Sequence, residues 1–163
     1  SRMILERAAS EITTTNVGFG RLIRVVVIGS ADKTYNYFVT RKESREHEPN
    51  TSKPACVLDG DMENTKVAGA LKYPSQDGLF FHYSNVASEK MLLHEYLAKY
   101  PNTNLQYHGE HSKSHCLLQK MVDEGLAVNK TNAFDICFME YRQSDGGSRH
   151  FESLKQFLTG LCQ

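Results

Sequence analysis

No charge of one sign predominates in this sequence: 19 lysines and arginines are matched by 19 aspartates and glutamates, for a formal net charge of zero. A protein that grips nucleic acid through its own phosphate-neutralising surface carries a basic excess. That mode is excluded here unless other chains or segments supply much of the grip. Long apolar runs are missing as well. None approaches the ~20 residues needed to span a bilayer, so no membrane association is expected. The four cysteines, Cys56, Cys116, Cys137 and Cys162, include no Cys-x-x-Cys pair, which argues against a zinc ribbon. No secretory leader is recognisable, so a cytoplasmic setting with reduced, buried thiols is expected rather than disulfides. Internal repeats, low-complexity tracts and a Gly-x-x-x-x-Gly-Lys-Ser/Thr phosphate loop are likewise absent.

What remains is an ordinary globular composition, 40% hydrophobic and 23% charged over 163 residues, enough for one domain with a real core. The opening "SRMILERAASEI" places Leu5, Ala8, Ala9 and Ile12 on one helical face. "LIRVVVIG" (22–29) is a β-branched run of strand length, the pattern of a strand buried on both faces. "SADKTYNYFVTRKESREH" follows as a loop and helix with Tyr35, Phe38 and Val39 inward, and "EPNTSKP" is a break. "ACVLD" is a second short strand, "NTKVAGALKY" a weak helix broken by Gly69, and "GLFFHYS" (78–84) a third strand. "SEKMLLHEYLAKY" is an amphipathic helix through Leu92, Leu93, Tyr96, Leu97 and Tyr100. Three further helical patterns, punctuated by Gly125 and "SDGGS", close the chain. Strands alternating with helices predict an α/β fold: a mostly parallel sheet flanked by helices, with a C-terminal helical cluster. One domain over 1–163 is expected, with an α/β core over 1–100 and a helical extension over 101–163.

The stretch "ACVLDGDMENTK" carries the chemistry. In an open parallel sheet, functional groups gather at the carboxyl ends of strands. Asp59 stands at such an end, Asp61 follows two residues later, and Gly60 lets the backbone turn sharply between them. Two carboxylates so placed suit Mg²⁺, which takes one or two acids plus waters. At the next strand end "HYSNVASEK" delivers Glu89 into the first turn of a helix, so Asp59, Asp61 and Glu89 are the candidate metal-binding and catalytic acids. The bland alternative is that Asp and Gly terminate a strand and Glu meets a helix dipole. Haloacid-dehalogenase-type phosphatases also place an Asp-x-Asp after a strand. They need Thr or Val two residues beyond the second Asp, where this chain has Glu63. Nucleotide-sugar glycosyltransferases share the pattern, but nothing else here matches a sugar-nucleotide pocket.

The order of these elements resembles the Toprim domain of OLD-family (overcoming lysogenization defect) and related ATPase-nucleases over roughly residues 1 to 100. "SRMILERAASEI" is similar to the first helix and "LIRVVVIGSADKTYNYF" to the second strand and helix. "CVLDGDMENTK" resembles the metal-binding strand end, and "GLFFHYSNVASEKMLLHEYL" the strand and helix that carry a later acid. The resemblance implies a Toprim-like, Rossmann-like fold with Mg²⁺ or Mn²⁺ on Asp59, Asp61 and Glu89. The implied activity is phosphodiester hydrolysis of DNA, as in anti-phage defence systems. It implies an ATPase domain or subunit of the same system as partner and is compatible with a homo-oligomer. The family's first strand bears a glutamate just before the first helix, and Glu6 does not fill that role. This chain is therefore expected to be a fragment of a larger protein and inactive alone, or else a degenerate Toprim-like module for assembly or nucleic-acid holding. A Mg-dependent phosphotransfer enzyme is a third reading.

Lys66, Lys90 and Lys113 are candidates for a phosphate contact. His108, His111, His115 and Cys116 in "HGEHSKSHC" are zinc-compatible residue types without a familiar zinc spacing. Solvated histidines near a site entrance are the simpler expectation. "IGSADK" (28–33) offers one glycine after an apolar run, which fits a strand-to-helix turn better than an anion cradle.

Overall fold

The computed structural model describes residues 2–16, 18, 23–47, 53–83, 85–105 and 117–162. These residues form a mixed α/β structure with six α-helices, one parallel pair of strands and one antiparallel pair. They divide into two compact units, one of Ser1–Asn85 with Glu152–Gln163 and one of Val86–Phe151.

In the first unit, α1 (Arg2–Thr15) buries Ile4, Ala8 and Ile12 at fourfold spacing. The face is the expected one displaced by a residue, with Leu5 and Ala9 only half-buried at its edge. Helix α2 (Ala31–His47) buries Phe38. Strands β1 (Cys56–Asp59) and β4 (Leu79–His82) pair in parallel, with Cys56 opposite Leu79 and Asp59 opposite His82. Phe38, Cys56, Leu58 and Tyr73 make the core between α2 and β1, and Tyr35, Val39, Leu79 and Phe81 pack around it. Residues 152–160 of α6 (Asp145–Gly160) belong to this unit; its Phe157 stacks on Phe80 at 4.9 Å between ring centroids.

Two expectations are corrected here. Residues 23–28 carry no strand, and Val26 and Val27 are more than half exposed. β-branched composition confers only a propensity, and a strand exists where a ladder partner completes it. "NTKVAGALKY" is no helix either. It forms a β-hairpin of β2 (Lys66–Val67) and β3 (Ala70–Leu71), with Ala68 at φ 50° and Gly69 at φ 83°. Positive φ at both central residues is the geometry of the tight hairpin turn, whose twist matches that of its strands. Parallel strands need a long crossover, usually a helix. Here a single 3₁₀ turn (Gly60–Met62) and this hairpin make the connection.

The second unit is helical: α3 (Ser88–Lys99), α4 (Leu117–Asp123), α5 (Lys130–Gln143) and the start of α6. Its buried side chains include Leu92, Leu93, Tyr96, Leu117, Met121, Phe134, Cys137, Tyr141 and Phe151. Asn129 caps α5 by accepting from the Asn132 N–H at 3.0 Å, the expected role of Asn at a helix start. "SDGGS" punctuates as expected, but through its first residue. Asp145, Gly146 and Gly147 lie inside α6, and Ser144 alone makes the break by accepting from the Gly147 N–H at 3.0 Å.

Candidate functional site

The end of β1 and the turn that follows it, Asp59 to Glu63, build the site. Asp59 is extended, at φ −65° and ψ 143°, and half-buried. Gly60 is buried and opens the 3₁₀ turn, while Asp61 is exposed on it. Glu63 closes the turn by donating its N–H to the Gly60 carbonyl at 3.1 Å. Beside Asp59 in register stands His82, 1% exposed at the carboxyl end of β4. The Asp-Gly-Asp stretch therefore lies at the carboxyl edge of a parallel pair, where α/β proteins place their ligands.

The chain leaves β4 through an unusual backbone. Tyr83 and Asn85 both have φ 63°, a region sparsely used by non-glycine residues. The Asn85 N–H donates to the Gly60 carbonyl at 2.9 Å, and Asn64 Nδ2 donates to Asn85 Oδ1. Turn and strand exit are thus joined by hydrogen bonds that the sequence spacing did not reveal, since Asn64 and Asn85 are polar residues in unremarkable surroundings.

Glu89 belongs to the second unit. Half-buried in the first turn of α3, its Oε1 accepts from the Leu117 backbone N–H at the start of α4. Among the described residues no group of three or more His, Cys, Asp and Glu side chains gathers closely enough to hold an ion. In kind and number, the two aspartates of the turn still fit a hard divalent cation. Their donors are all oxygen, and Mg²⁺ is commonly held by one or two carboxylates with waters and substrate phosphate completing the shell.

Lys66 is exposed at the start of the hairpin and Lys90 is exposed on α3. Lys113, His108, His111, His115 and Cys116 lie outside the described residues. "IGSADK" is a helix cap: Gly29 takes φ 132°, and the Ser30 carbonyl accepts from the Thr34 N–H at 2.9 Å. Asp32 faces elsewhere, accepting from Lys72 Nζ at 2.9 Å and from the Tyr73 hydroxyl at 2.7 Å. The Lys72 and Tyr73 hydrogen bonds hold its carboxyl below the ordinary 3.8. In the second unit, Lys99 Nζ reaches the two oxygens of the buried Glu140 at 3.1 and 2.9 Å. Burial pushes the Cys137 thiol up to about 12 and the Cys56 thiol up to about 11, so both are inert packing residues.

No protein-family model, no curated protein and no solved structure matches this chain. Among the described residues no helix is long and apolar enough to cross a membrane.

Proposed function

We propose that this chain is a Toprim-like α/β module of a metal-dependent nuclease that hydrolyses DNA phosphodiesters, working with an ATPase domain or subunit. The observation that carries the reading is Asp59-Gly60-Asp61 at the carboxyl end of a strand in a parallel pair. Asp59 and Asp61 would hold Mg²⁺ or Mn²⁺; Glu89, with an oxygen on the Leu117 N–H, is left out of the ligand set. The chemistry supplied when the ion is bound is polarisation of the phosphodiester and activation of water. The protein's own part is to present two carboxylates on a turn fixed by backbone hydrogen bonds. A neutral net charge leaves much of the DNA grip to partner segments.

In the complete protein, Asp59→Ala and Asp61→Ala together are expected to abolish Mn²⁺-dependent DNA cleavage. Full activity in that double variant rules the assignment out. The lack of a third gathered acid among the described residues favours, as a second reading, a module for assembly or nucleic-acid holding. Calorimetric titration of the folded chain with Mg²⁺ and Mn²⁺ separates the two: heat of binding that disappears in Asp59→Ala supports the nuclease, and its absence in the parent supports the module.

A further inference from the structure

Gly60 is the residue between the two carboxylates, and glycine has the widest backbone freedom of any residue. Nothing in its own covalent structure sets where Asp61 points relative to Asp59. The orientation of the Gly60–Asp61 peptide plane does so, and the Gly60 carbonyl oxygen marks that plane. Two donors hold the oxygen. One is the Glu63 N–H at 3.1 Å, within the same turn; the other is the Asn85 N–H at 2.9 Å, from the exit of β4.

Asn85, whose N–H reaches the carbonyl, has a left-handed backbone at φ 63°. Asparagine adopts that conformation more readily than other side-chain-bearing residues. Its own Oδ1 then accepts from Asn64 Nδ2, just beyond the 3₁₀ turn. Asn85 and Asn64 are both exposed, so the clasp adds little to the core. Backbone held in a sparsely populated region persists where surrounding contacts over-determine it, and such places cluster at functional sites.

Resting on the metal-binding reading above, we infer that Asn85 is a positioning residue for Asp59 and Asp61. Its link to Asn64 holds its backbone N–H on the Gly60 carbonyl, which fixes the Gly60–Asp61 peptide and thereby the spread of the two carboxylates. Residues that orient metal ligands in this way typically contribute 10–100-fold in metal affinity.

The test is Mn²⁺ binding to the full chain, measured by calorimetry and by the electron paramagnetic resonance spectrum of the bound ion. Asn85→Gly keeps the left-handed backbone and its N–H but loses the partner of Asn64; Asn64→Ala removes the same link from the other side. Each is expected to raise the Mn²⁺ dissociation constant about tenfold and to alter the spectrum, with an unchanged midpoint of thermal unfolding. The double variant is expected to be no worse than either single one, since both remove one contact. Parent-like affinity in both single variants, with binding still lost in Asp59→Ala, overturns the positioning role alone. A matching fall in unfolding midpoint also overturns it, by making Asn85 a determinant of the fold. A parent that binds no Mn²⁺, or an Asp59→Ala variant that binds it as well as the parent, overturns the metal reading itself and this inference with it.

Discussion

At the scale of single residues, Glu89 shows how one side chain type serves two chemistries. A metal ligand here needs negative charge, whereas a partner for the Leu117 N–H needs only an acceptor oxygen. The first N–H groups of a helix have no partner within it, and leaving such a donor unsatisfied when it is part-buried costs about 1–3 kcal/mol. Glu89→Ala is therefore expected to lower the unfolding free energy in urea by about 1–3 kcal/mol. Glu89→Gln, which keeps an acceptor at the same reach, should stay within about 0.5 kcal/mol of the parent. Glu89→Gln should also leave Mn²⁺ affinity unchanged. If it removes binding as fully as Asp59→Ala does, the charge matters and Glu89 returns to the ligand set. From sequence, a glutamate in a helix's first turn gave no hint of Leu117. The pair is 28 positions apart and depends on how α3 and α4 meet.

At the scale of elements, the helices were legible and the strands only partly so. In α3 the buried Leu92, Leu93 and Tyr96 repeat with helical period, a pattern written in a few consecutive residues. "CVLD" and "LFFH" became β1 and β4, while "IRVVVI", as apolar and richer in β-branched residues, has no ladder. Composition does not distinguish them, because pairing involves residues distant along the chain. The hairpin was misread because "VAGAL" matches a weak helix broken by glycine as well as two extended pairs about a turn. Gly147 shows the opposite case, since this glycine of the punctuating stretch "SDGGS" lies inside α6. A Cβ built there would lie 2.1 Å from the Tyr141 carbonyl oxygen and 2.2 Å from its ring, so this glycine serves close approach at the α5–α6 corner. Gly147→Ala is expected to destabilise by about 1–3 kcal/mol through overpacking, despite alanine's better helix propensity. A stabilised variant in thermal unfolding would show that the corner relaxes freely.

At the scale of the whole molecule, stability against pH should carry the signature of the Asp32–Lys72–Tyr73 cluster, which ties α2 to the segment after the hairpin. Hydrogen bonding to Lys72, then to Tyr73, lowers the Asp32 carboxyl from its ordinary 3.8. The same contact to Asp32 raises Lys72 above 10.5, and burial, then Asp32, raises Tyr73 above 10.0. A depressed carboxyl contributes stability that is present above 3.8 and is lost as pH falls through its folded value. Raised Lys and Tyr values contribute stability that is present below about 10 and is lost as pH rises through theirs. The difference in unfolding free energy between the parent and Asp32→Asn should thus be flat between about pH 5 and 9 and shrink on both sides. The cluster is largely solvent-screened, so the shape of that curve is the test rather than its height. A difference that grows below pH 4 would contradict the assigned sign.

The sequence by itself determined the local features: helices whose apolar residues recur every three or four positions, short apolar strands, and an Asp-Gly-Asp stretch at the end of one of them. Each is set by the order of neighbouring side chains, and each is therefore readable from a short window. Only the tertiary structure decided which apolar runs acquired a ladder, that Glu89 faces a backbone N–H, that Asp32 meets Lys72 and Tyr73, and that Asn85 reaches back to Gly60. Hydrogen bonds of that kind join groups far apart along the chain. Their free energy exists only once packing has brought both partners into range.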